Sequence, residues 1–91
     1  MNLEQAAVGV RVQLKTFHGT VEAAPDTDAQ ENYWVLLEER GLIVKLEPSG
    51  DPSRGKALVQ FDRRLSELGL MNHNEMPNAL WIDVSDLEKV E

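Results

Sequence analysis

Apolar and polar residues alternate without a break over residues 8–15, VGVRVQLK: Val8, Val10, Val12 and Leu14 fall on one side, Gly9, Arg11, Gln13 and Lys15 on the other. Strict period two marks a strand with one buried face. The same period recurs three times. In LIVKLE (42–47) it points Leu42, Val44 and Leu46 inward, and Pro48 closes the run. In KALVQFD (56–62) it points Ala57, Val59 and Phe61 inward, and in ALWIDV (79–84) Leu80, Ile82 and Val84, with Trp81 and Asp83 outward. A last short strand ends at Val90.

The segments between these runs carry turn chemistry. PDTDAQEN (25–32) has a proline, closely spaced acids and no periodicity, which reads as a long acidic loop. YWVLLEE (33–39) does not alternate strictly; a helix is conceivable, and an irregular extended segment is the preferred reading. SGDPSRGK (49–56) is a hairpin turn punctuated by Gly50, Pro52 and Gly55. Asp62 is placed to cap a two-turn helix through RRLSELG, burying Leu65 and Leu68, with Gly69 after its last turn. LMNHNEMPN (70–78) is a connection, and Ser85 with Glu88 has capping-box spacing, which predicts one helical turn before the last strand.

Short strands at this spacing, joined by one long first loop and a tight hairpin, predict a mostly β chain: a single antiparallel barrel of about five strands, with one short helix between the third and fourth strands. With GVRVQL as opening strand, GLIVKLEP and ALVQFD as central hairpin and LWIDVSDLEKV as the last strand pair, the chain resembles an SH3-like small barrel. It is also similar to small uncharacterised bacterial proteins in which a YW segment, a VQFD strand and an HN…P…LWI stretch follow in this order. The resemblance implies a fold and no activity, because one fold hosts many functions. The chain lacks the acidic-and-aromatic first-loop motif and the third-strand tryptophan of the proline-binding signalling SH3 domains, so proline-rich peptides are not the expected ligand.

Size and charge narrow the function classes. Ninety-one residues suit one domain, 1–91, since either half would bury too little core. The absence of cysteine removes disulfides, thiolate nucleophiles and cysteine zinc sites together. The start MNLEQAAVGV lacks the basic region and long apolar run of a signal peptide, and no stretch approaches the roughly 20 apolar residues of a membrane span; a cytoplasmic address without membrane contact is the expectation. A formal charge of −7 opposes nucleic acid and anionic lipid and favours basic or neutral partners. The one local concentration of bases, Arg54, Lys56, Arg63 and Arg64, is better explained by salt bridges.

No cofactor or metal is expected. Asp26 and Asp28 open like a calcium loop, yet the glycine for its sharp turn is missing and Leu37 stands where the bidentate glutamate belongs. His73 and Glu75, with His18 as the other histidine, match no zinc spacing. The asparagines around His73 suit an irregular connection bonded to backbone, with Met71 and Met76 covering the barrel end. No serine or threonine sits in a nucleophile elbow and no glycine loop cradles phosphate.

What remains is a recognition surface. Tyr33, Trp34 and Trp81 combine large apolar area with a polar handle, the mark of interface anchors. Together with the acidic first loop, and with His73 and Glu75 at its margin, they are expected to engage a protein partner, a second copy of the chain included, as a noncatalytic interaction module. The alternatives from other classes are a small-ligand-binding or enzymatic barrel using His73 and Glu75, and an acidic mimic of nucleic acid.

Overall fold

In the computed structural model, which describes residues 1, 5–48, 50, 55–72 and 74–90, the alternating runs form β1 (Arg11–Leu14), β2 (Arg40–Pro48), β3 (Gly55–Phe61), β4 (Ala79–Asp83) and β5 (Leu87–Lys89). Every neighbouring pair is antiparallel, in the order β4-β3-β2-β1-β5. Among the described residues no ladder joins β4 to β5, so the sheet is open rather than a closed barrel. It is nevertheless bent. In a flat sheet of five strands about 4.8 Å apart the two edges would lie roughly 19 Å from one another. Asp83 and Leu87 are four residues apart and span at most about 14 Å, so the chain reaches from one edge to the other only because the sheet curls.

The curl wraps one apolar face around itself. Val12 and Leu14 of β1, Ile43 of β2, Ala57, Val59 and Phe61 of β3, Leu80 and Ile82 of β4 and Leu87 of β5 form the core, joined by Phe17, Tyr33, Leu36, Leu65 and Val84 from the connections. Each fully buried Val, Leu, Ile or Phe contributes about 1.5–3 kcal/mol relative to exposure. The inward positions expected in β3 and β4 are the ones observed.

Two expectations of phase are corrected. Val8 is exposed, because Gly9 at φ +94° turns the backbone out of extended geometry before β1 begins at Arg11. In β2 the buried residue is Ile43, whereas Leu42 and Val44 are half-buried and lie outside the core. A bulge between Ile43 and Lys45 puts one extra residue opposite β3, which restores Leu46 to the inner face against Ala57. A bulge reverses the pleat for the residues that follow, and simple alternation reads straight through it.

Gly41 is fixed by contact rather than by conformation. A Cβ here would stand 2.6 Å from the Gln60 carbonyl oxygen and 2.8 Å from Val59 Cγ1, so only glycine lets β2 approach β3 this closely.

The helices are all short 3₁₀ turns among the described residues. Tyr33–Leu36 forms one where an extended segment was expected, and Leu65–Leu68 is one in place of the expected two-turn helix. The N-cap residue of the latter is Arg64, not Asp62, and the Leu65 N–H is taken up by Asn78 Oδ1 at 2.6 Å. Gly69 follows at φ +71° and donates back to the Leu65 and Ser66 carbonyls, as expected for the residue after a helix. The turn before β5 covers Val84–Asp86 without a capping box. Most of the β2–β3 turn lies outside the described residues.

Candidate functional site

The first loop leaves β1 through a two-residue hairpin, Phe17 pairing with Thr20 around His18 and Gly19. Both central residues have positive φ, 52° and 76°, the conformation that suits a tight turn with glycine at its second position. Asp86, 2% exposed in the turn before β5, holds this hairpin from the other end of the chain. Its carboxylate accepts from Thr16 Oγ1 at 2.5 Å, the His18 N–H at 3.1 Å and the Gly19 N–H at 3.0 Å, and its carbonyl accepts from the Lys15 and Thr16 N–H groups.

The hairpin sets Phe17 and His18 against the Tyr33–Leu36 turn. Phe17 meets Tyr33 at 5.6 Å and stands edge-on to Trp34 at 4.9 Å; His18 lies 4.2 Å from Phe17 and 6.1 Å from Trp34. Tilted and edge-on arrangements at these separations are the favourable ones for aromatic pairs. Trp34 Nε1 donates to Thr20 Oγ1 at 3.0 Å and Tyr33 Oη to the Met71 carbonyl at 2.7 Å, so both rings are fixed by their polar ends. Burial, and next the charge of Glu31, push the Tyr33 hydroxyl above the ordinary phenol range.

Between these rings and the acidic loop runs an open groove of about 420 Å³, lined by the four aromatic side chains and by Asp26, Thr27, Asp28 and Glu31. Asp28 caps the Ala29–Glu31 turn by accepting from the Gln30 N–H. The Asp26 side chain has no hydrogen-bond or ion-pair partner among the described residues. Of the cations before the loop, Arg11 is engaged by Asp62 and Lys15 by Glu38. The groove is thus lined by aromatic and anionic side chains, with no lysine or arginine among its lining residues.

The expected recognition residues divide between two faces. Tyr33 and Trp34 come together as anticipated, Tyr33 buried and Trp34 half-buried. Trp81 does not join them. It pairs with Leu58 across β4 and β3 on the face opposite the core, 37% exposed, and makes no ring contact with the cluster. Beside it Leu58 is buried although its face of the sheet is the outer one. Glu75 is exposed in the connection before β4, and His73 lies outside the described residues.

That connection is held by asparagines, as its composition suggested. Asn72 donates to the Asn74 and Met76 carbonyls and accepts from the Ala79 N–H; Asn74 donates to the Ala79 carbonyl; Asn78 donates to the Phe61 carbonyl. These amides thus dock the connection onto the start of β4. Met71, expected to cover the barrel end, is 42% exposed. Among the described residues no three His, Asp or Glu side chains converge as a metal site, and no hydroxyl is hydrogen-bonded to a histidine.

Sequence reasoning passed over Phe17 and Asp86, and weighed His18 only as a metal ligand. The legible signal was FHGT, a glycine-containing pair between two residues able to close a hairpin; nothing local to Asp86 announces a partner some 70 residues away. No protein-family model, curated protein or solved structure matches the chain.

Proposed function

We propose that the chain is a small noncatalytic protein-interaction module of SH3-like architecture, and that its recognition surface is the groove between the first-loop acids and the Phe17, His18, Tyr33 and Trp34 rings. The observation that carries this reading is the packing of four aromatic side chains into one pre-formed wall whose members are held by hydrogen bonds and by the core. A wall fixed before binding loses little conformational entropy when a partner docks. Trp34 and His18 present ring surface to the partner, and Phe17 and Tyr33 support them from below.

The test is site-directed cross-linking in the source cells. A photoreactive phenylalanine analogue at His18 is compared with one at Glu47, which is exposed on β2. The expectation is a discrete protein adduct from position 18 that disappears when Trp34→Ala is introduced into a chain still folded by circular dichroism. Adducts that form equally from position 47, or that survive the Trp34 change, would remove the groove as the recognition surface.

A further inference from the structure

Resting on the groove as the recognition surface, we infer that its occupant is an arginine side chain in a basic segment of the protein partner, packed against Trp34 and paired with Asp26. Three features converge on this chemistry. The first is polarity: the indole N–H of Trp34 is already bound to Thr20, so Trp34 adds aromatic ring rather than a free donor to the groove lining, with the His18 ring 6.1 Å away and tilted 61° to it. A cation over an aromatic ring is attracted by the ring quadrupole.

The second is charge complementarity. Asp26, Asp28 and Glu31 also line the groove, in a chain of formal charge −7, and the Asp26 carboxylate has no partner among the described residues. An approaching cation is thus drawn to the groove and finds an unspent acceptor inside it. The third is the choice between the two basic side chains. A guanidinium is planar, stacks on aromatic rings and pairs with a carboxylate through two parallel N–H donors, whereas an ammonium is a compact, strongly hydrated point charge. A groove lined by an indole ring and by a carboxylate without a protein partner matches the first description.

The experiment is an NMR titration of the ¹⁵N-labelled full chain with a Gly/Ser decapeptide carrying two arginines, with the arginines replaced by citrulline, and with the arginines replaced by lysine. Expected are shifts concentrated at the Trp34 indole N–H and at the Gly19, Asp26 and Thr27 amides, tenfold or greater loss of affinity for the citrulline peptide, and a smaller loss for the lysine peptide. Raising salt from 50 to 300 mM should weaken the arginine peptide several-fold. Asp26→Asn, an exposed change that leaves the core untouched, should lower affinity at least threefold, and Trp34→Ala further. Equal binding of arginine and citrulline peptides, shifts mapping outside the groove, or no effect of Asp26→Asn would each overturn the inference. A neutral peptide bound in the groove by the same shifts would overturn it while leaving the groove itself as the recognition surface; loss of the His18 cross-link criterion would remove both.

Discussion

Replacing Asp86 by alanine tests whether the two ends of the chain are joined as described. The carboxylate is 2% exposed and accepts three hydrogen bonds, from Thr16 Oγ1, His18 N–H and Gly19 N–H. Hydrogen bonds to a charged group contribute about 1.5–3 kcal/mol each, which sums to roughly 4.5–9 kcal/mol before corrections. Two corrections lower it. The donors belong to a hairpin with exposed His18 and Gly19, so they regain water once the carboxylate is gone, and the wild-type protein bears the desolvation cost of burying a charge, which the variant does not. A net loss of about 3 kcal/mol is expected.

For a domain of this length that loss lowers the melting temperature by roughly 12–24 °C, and with a urea m-value of about 1–3 kcal/mol/M it lowers the midpoint by about 1–3 M. Asp86→Asn keeps one acceptor oxygen but turns an NH₂ toward the remaining donors, so it should fall between wild type and alanine. Urea unfolding followed by tryptophan fluorescence and by circular dichroism measures all three proteins. A loss below about 1 kcal/mol for alanine, within the range of ordinary substitutions, would refute the claim that Asp86 anchors the hairpin. Ring shifts of His18 and Trp34 in the same variants report whether the groove loosens with its anchor.

Gly41→Ala should cost on the order of 2–3 kcal/mol by overpacking, since its Cβ would stand 2.6 Å from a main-chain oxygen that cannot rotate away; thermal unfolding within about 0.5 kcal/mol of wild type would contradict the close β2–β3 approach. Trp81→Ala should cost roughly 1–2 kcal/mol, more than a surface change and less than a core truncation, because the ring is 37% exposed yet borders buried Leu58; a loss of 3 kcal/mol or more by chemical denaturation would mean that the ring is covered. The bidentate Arg11–Asp62 pair holds the Asp62 carboxyl below its ordinary range, first through the hydrogen bond with Arg11. A depressed folded value stabilises at neutral pH and is lost as pH falls through it. The stability difference between wild type and Arg11→Ala should therefore be small, because both groups are exposed, and should vanish below the ordinary carboxylate range; a difference that grows on acidification would reverse the sign of the linkage.

Strand identity was readable from the chain wherever one face is buried and the pleat is unbroken. In β3 and β4 the period-two pattern names Ala57, Val59, Phe61, Leu80 and Ile82 as inward, and they are core residues, because alternation is a property of each residue's immediate neighbours. Turn chemistry was legible for the same reason at Gly69 and in the asparagine-rich connection. The phase of β2 was not: the bulge that buries Ile43 and returns Leu46 inward depends on where β3 pairs with it. The fate of Trp81 illustrates the division. Its outward phase followed from alternation, but its neighbour across the strands, Leu58, and its separation from Tyr33 and Trp34 follow from strand order. The groove belongs wholly to tertiary structure. Phe17 and His18 stand in a hairpin whose donors at positions 16–19 are gathered by a carboxylate at position 86, Trp34 is tied to that hairpin through Thr20, and a hydrogen bond across such a sequence separation leaves no periodic trace in either segment, since local propensity and pattern record only what lies within a few residues along the chain.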